Sequence, residues 1–205
     1  MSLQLYFSPF ACSLASRIAL HETGQAAEFT LVRDHKLPDG SDYHAVNAIG
    51  QVPVLRTPDL GLLTEGPAIL QYIADRKPES GMVPEAGTPE RYRVQQWLNF
   101  VSTELHKFVF ASLFAKTATD EVKAFARENA RKRFELLSRH LDSREFLTEK
   151  FSIADAYLVT VLNWIEHAGL SIEPYPVLKA YRDRLRQRPS VAKAMGEEMP
   201  LLKAA

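Results

Sequence analysis

The hydrophobic pattern of this chain changes character once, and that change limits the folds open to it. Up to about residue 80, short alternating segments mix with helical ones; beyond about residue 90, the pattern is helical throughout. Between them, Lys77 to Pro89 holds three prolines and two glycines in thirteen residues, the best linker candidate in the sequence. The chain therefore divides into 1–78, a linker at 79–89, and a helical part at 90–205. In the first part, Leu3, Leu5 and Phe7 alternate with Gln4, Tyr6 and Ser8, as a strand requires. A helix with Leu14 and Ile18 inward follows and stops at Gly24. Phe29 to Val32 reads as a second strand, Tyr43 to Val46 as a short irregular helix, and Val52–Leu55 with Leu62–Leu63 as a hairpin. Pro67 fits the first position of a helix to about Arg76, with Gly66 as its cap. The order is β-α-β, a link, then β-β-α, the first two strands parallel through a right-handed crossover. In the second part, helices are expected over Arg91–Phe114, from a Thr119 cap to Leu141, after a Ser152–Asp155 capping box, over Val177–Gln187 and over Val191–Met195.

Composition excludes several classes of function. Lys and Arg total 25, as do Asp and Glu, so the net charge is zero and a phosphate-neutralising surface is not expected. No apolar run has the length of a membrane span, and Met1–Phe10 lacks the basic start and apolar block of a signal peptide. One cysteine makes no intrachain disulfide, so a reducing, cytoplasmic setting is expected. The six histidines show no metal-ligand spacing.

Cys12 falls at the start of a helix, after a strand and a Pro9-Phe10 turn. Free N–H groups and the positive helix end favour a thiolate there, although a lone cysteine also serves as a small core residue. Ser8-Pro9-Phe10-Ala11 occupies the turn where thioredoxin-like proteins carry Cys-x-x-Cys, and lacks both cysteines, which excludes a two-cysteine mechanism within the chain. A cis Val52-Pro53 bond would leave the Val52 backbone free to pair with an extended peptide, whereas base frequency favours trans. Glu65 and Gly66 at a helix start suit a ligand carrying both carboxylate and ammonium, or simply offset the helix dipole. Asn99, Thr103 and His106 form a polar stripe at α-helical spacing, which a solvated face also explains. Phe10, Phe108–Phe114 and Trp164 are equally readable as ligand-facing or core aromatics.

Together these segments resemble the cytosolic glutathione transferases, most of all the bacterial beta class. The resemblance rests on Ala11-Cys12-Ser13-Leu14-Ala15, Asn47-x-x-Gly50-Gln51-Val52-Pro53, Leu63-Thr64-Glu65-Gly66-x-Ala68-Ile69, Trp97-Leu98-Asn99, Thr103–Lys107 and Phe151–Tyr157, in family order and over nearly the whole chain. It implies an α+β, thioredoxin-like first domain with a four-stranded mixed sheet, then an all-α helical bundle, in a homodimer. It implies a detoxifying transferase that conjugates reduced glutathione, its cosubstrate, to a small hydrophobic electrophile, with no metal, nucleic acid or membrane. Cys12 matches the beta-class cysteine beside the glutathione sulfur, and Val52 the residue whose main chain pairs with the cysteinyl unit. Pro53 matches the cis proline, Glu65 and Gly66 the γ-glutamyl clamp, and Lys36 a basic residue on the ligand. Asn99, Thr103, Glu104, Leu105 and His106 match second-domain residues that close over glutathione, with His106 a polar helper. Ser8 resembles the activating serine of other classes, Ser13 is a nearby hydroxyl, and Tyr6 has a parallel in the tyrosine of further classes. Two alternatives stand beside conjugation: thiol–disulfide exchange through a Cys12–glutathione mixed disulfide, and a non-catalytic ligand carrier on the same fold. The family's glycine four residues before the capping-box serine is Thr148 here, which implies strain or a different turn.

Overall fold

The computed structural model describes residues 2–203, which cluster into two compact units, 2–83 with 189–203 and 84–188. Unit 1 is built on a four-stranded sheet of order β2-β1-β3-β4. β1 (Leu3–Phe7) runs parallel to β2 (Ala27–Leu31), as the crossover through α1 (Ser13–Glu22) requires. β3 (Val54–Thr57) pairs antiparallel with β1, and β4 (Gly61–Leu63) with β3, so the sheet is mixed and the unit thioredoxin-like. Leu5 sits opposite both Phe29 and Leu55, the register of a central strand. Alternation predicts one buried face for β1, but both are covered: Tyr6, on the polar phase, packs with Val32, Tyr43 and Val54. The single helical turn at Tyr43–Ala45, capped by Asp42, closes that face. α2 (Gly66–Asp75) completes the expected order.

Helix α1 is buried from Ser13 to Leu20, all round its circumference. A helix lying on a sheet alone would expose one face. Here α2 covers one flank and the closing helix covers another. That closing helix is longer than the sequence pattern indicates, Pro189–Lys203 rather than Val191–Met195, and it continues through Pro200. It packs on α1, so the stretch placed with the helical domain by pattern alone belongs to unit 1. The physical reason is an ion-pair cluster: Arg17, flanked by the Phe7 and Phe29 rings, reaches Glu197 and Glu198.

Unit 2 begins with a long helix, α3, whose first part is Pro89–Asn99 with Thr88 accepting from the Arg91 N–H. From Phe100 to Ala111 it is wound more widely as a π-helix, and Ser112–Phe114 closes it. α4 (Asp120–Leu141) starts where Thr119 accepts the Val122 N–H. α5 (Ile153–Leu162) is buried along its whole length behind its capping box. α6 (Pro176–Arg186) ends the unit, and the chain returns to unit 1 through the closing helix, α7 (Pro189–Lys203). Asp155 at the start of α5 is fully buried, accepting from the Leu147 and Ser152 N–H groups and from the Tyr181 and Ser152 hydroxyls. Burial pushes its carboxyl up, against the lowering effect of those donors. Thr148 is not among the described non-glycine residues of positive φ, so the loop before the capping box uses a different turn, not strain.

Candidate functional site

The β1–α1 turn places Cys12. Pro9 leads into Phe10, which lies in the left-handed region at φ 55°, uncommon for a side chain of this size. The Ala11 N–H donates to the Ser8 carbonyl at 3.1 Å, and α1 is under way with the Leu14 N–H on the Ala11 carbonyl at 3.0 Å. Cys12 is the cap residue of α1, free of any disulfide and half-buried. Its Sγ lies 3.1 Å from the carbonyl oxygen of Val52, brought alongside by the segment leading into β3. A thiol makes this contact by donating its proton; a thiolate has none to donate. The Val52–Pro53 bond is cis, as the family resemblance implies and against the simple base frequency. Its carbonyl is not free, however, because the cysteine occupies one of its two acceptor positions.

The hydroxyls offered as alternatives to Cys12 have structural partners. Ser8 Oγ donates to the Val32 carbonyl at 2.7 Å. Ser13 is buried, its Oγ accepting the Ser8 N–H and donating to the Ser8 carbonyl, both at 3.2 Å. Tyr6 donates to Gln4 Oε1 and accepts from Arg56 in a polar strip across the sheet. Lys36 sits in the β2–β3 connection, its backbone bridged to Arg33 and Asp42. In that connection Gly50 adopts φ 71°, and a Cβ there would lie 2.7 Å from His35 Nδ1 and 2.8 Å from His44 Nε2.

Helix α2 begins one residue earlier than the proline indicates. Glu65 is the cap, at φ 65° and ψ 112°, and Gly66 is the first helical residue. Both are exposed. A glutamate in this sparsely populated conformation, its side chain making no cap hydrogen bond, presents its carboxylate to solvent beside free N–H groups.

In unit 2 the π winding separates residues that α-helical spacing aligns. Asn99 and Thr103 are exposed, with Thr103 Oγ1 donating to the Asn99 carbonyl at 2.9 Å. His106 turns inward: Nδ1 is 2.6 Å from the Tyr157 hydroxyl, and its ring meets Trp164 edge-on at 5.0 Å. Burial, helped by Lys107, pulls its pKa down to about 4, so the ring is neutral at pH 7. If the Tyr157 hydroxyl donates to Nδ1, the ring proton sits on Nε2. Phe110 and Phe114 extend this aromatic cluster around Trp164. Two members of the predicted stretch are engaged elsewhere. Leu105 is wholly buried and packs the interior, and Glu104 pairs with Arg133 at 2.5 Å. Sequence reading missed Tyr157 as the partner of His106, and Glu198, which accepts the Phe10 N–H beside Cys12 at 2.7 Å.

Residues 7–76 match the model of the glutathione S-transferase N-terminal domain, and residues 101–189 that of the C-terminal domain. Glutathione S-transferase GstA of Escherichia coli O157:H7 is 39% identical over 201 residues, covering 96% of this chain and 98% of its own. A sphingomonad glutathione S-transferase solved in complex with glutathione superposes with a TM-score of 0.91 at 41% identity, over 95% of this chain and 98% of that one. The bacterial beta class glutathione S-transferase of Sphingomonas chungbukensis does so with a TM-score of 0.90 at 42% identity, over the same shares.

Proposed function

Because the chain belongs to the glutathione S-transferase family, we propose that unit 1 binds reduced glutathione with its sulfur at Cys12 and that the enzyme adds this sulfur to hydrophobic electrophiles. The observation that carries the reading is the 3.1 Å contact between Cys12 Sγ and the Val52 carbonyl at the tip of α1. It brings a thiol donor to the Val52 backbone, and that juxtaposition supports the reading of an extended peptide bound along Val52. Val52 and Pro53 then take the cysteinyl unit, Glu65 the γ-glutamyl ammonium, and the N–H groups at Gly66 the γ-glutamyl carboxylate. Lys36 takes the opposite carboxylate.

Two thiolates side by side repel, so a single negative charge resides on the glutathione sulfur while Cys12 keeps its proton. The helix N–H groups stabilise that charge, joined by the Cys12 S–H when its one proton turns from the Val52 carbonyl to the glutathione sulfur, and holding the electrophile against it supplies the rest of the acceleration. Cys12→Ser retains a donor toward Val52 and is expected to keep conjugation within a few-fold. Cys12→Ala removes the donor and lowers kcat. Calorimetry with millimolar glutathione is the direct test: no binding heat from wild-type protein overturns the assignment.

A second reading is favoured by Cys12 being half-buried rather than sealed. Its thiolate attacks a mixed disulfide between glutathione and another thiol, releasing that thiol as its thiolate and leaving a Cys12–glutathione disulfide. A glutathione thiolate then attacks that bond, departs as glutathione disulfide and regenerates the Cys12 thiolate, so the other thiol is reduced at the expense of glutathione. Cys12→Ser abolishes this exchange, and equal disulfide reduction by wild type and variant excludes it. Binding of glutathione without turnover across an electrophile panel would instead favour a carrier. For Asn99, Thr103, Glu104 and His106 the family resemblance supplies the reading, tested by KM for glutathione in single alanine variants. Assembly is proposed as a homodimer in the cytoplasm, the first part measurable by light scattering.

A further inference from the structure

Glu198 lies on α7, a hundred and eighty-odd positions from its partners, and no atom of it reaches solvent. Its two carboxylate oxygens have separate tasks. Oε1 accepts from Arg17 Nε at 2.9 Å, and Oε2 accepts from the backbone N–H of Phe10 at 2.7 Å. The first contact fastens α7 to α1. The second reaches into the turn that delivers Cys12. Phe10 holds a backbone conformation that L side chains rarely adopt, and such a conformation persists only where surrounding groups enforce it. Ser8 and Ser13 tie the other side of the same turn.

We propose that Glu198 is a positioning residue for Cys12: it pins Phe10 in the left-handed conformation and thereby sets the thiol at the tip of α1 beside Val52. This rests on the reading of Cys12 as the group beside the glutathione sulfur. Glu198 acts through the turn, by way of the Phe10 N–H. The charged groups around it are Arg17 and His21 of α1 and its own neighbour Glu197, which bonds both of them. Burial pushes its carboxyl up to about 7, against the Phe10 N–H and Arg17, so the group titrates in the range where thiol chemistry is measured.

The ion pair and the turn contact can be separated with two charge-balanced double variants. Arg17→Met with Glu198→Gln removes the ion pair and keeps an oxygen for the Phe10 N–H. Arg17→Met with Glu198→Leu removes both. Cys12 is the only cysteine, so thiolate ultraviolet absorbance and iodoacetamide consumption report on it alone. The Gln variant is expected to alkylate at neutral pH within about twofold of wild type. The Leu variant is expected to react roughly tenfold more slowly, its thiolate titration displaced to higher pH, as when a cysteine loses helix N-terminal stabilisation. Identical profiles in the two variants overturn the proposal, because the Phe10 contact then has no bearing on Cys12. Should the Leu variant not fold, hydrogen exchange of the Phe10 amide in wild-type protein decides. Strong protection supports the pin, and exchange at the rate of an open turn overturns it. These readouts need no glutathione, so they can succeed where glutathione calorimetry fails, and the reverse.

Discussion

At the scale of single residues, the chemistry here is set by partners that are far away in sequence. Cys12 is legible because its signal is local: a strand, a Pro-Phe turn and the onset of a helix, all within ten positions. Glu65 is legible for the same reason. His106 shows the opposite case, since its state depends on Tyr157 and Trp164 on another helix. Its pKa of about 4 lies below the ordinary 6.5, so the native state prefers the neutral ring. The resulting stability is present above pH 6.5 and is lost as pH falls toward 4, by up to about 3 kcal/mol. His106→Phe is expected to flatten this part of the profile, read from urea midpoints between pH 7 and 4. Gly50 supplies a second prediction. Alanine there meets both a positive φ and the His35 and His44 rings, so Gly50→Ala should destabilise by about 1–3 kcal/mol. It should also weaken glutathione binding, because Gly50 lies two positions before Val52.

At the scale of elements, start signals are written in short stretches and winding is not. Thr119 and the Ser152–Asp155 box are local grammar, and both helices begin where those residues put them. Thr119→Ala should cost about 1 kcal/mol, the usual value of a lost N-cap. Asp155→Ala should cost more, about 3 kcal/mol or beyond, because it strands two buried N–H groups and the Tyr181 and Ser152 hydroxyls at once. Thermal melting of the two variants side by side checks the ranking. The π winding of Phe100–Ala111 has no comparable marker. Apolar side chains at Val101, Leu105 and Val109 bury equally well in either winding at the level of a sequence pattern, so a stripe drawn at α spacing joins His106 to Asn99 and Thr103. The helix start at Glu65 was displaced by one residue because a proline fits the first or second helical position alike.

At the scale of the whole molecule, the two-part organisation is visible as a change of period, but the ownership of α7 is not. A fifteen-residue helix at the end of a helical run looks like more of the same. Only the full burial of α1 hints that something must cover its far side, and a helical pattern cannot say what. Deleting residues 189–203 should therefore injure unit 1 first, leaving Arg17 without Glu197 and Glu198. Both tryptophans, Trp97 and Trp164, lie in unit 2, and the single cysteine lies in unit 1. In the truncated protein, the iodoacetamide reactivity of Cys12 should shift to that of an unfolded thiol at denaturant concentrations where tryptophan emission is still native. Equal midpoints for the two probes would contradict this. The same arrangement bears on biosynthesis. A ribosome that has finished the sheet and α1 must still translate all of residues 84–188 before the covering helix emerges, a wait of roughly 5–20 seconds at common elongation rates. Throughout that interval the flank of α1 that the closing helix covers stays open, and Arg17 waits for both of its carboxylates.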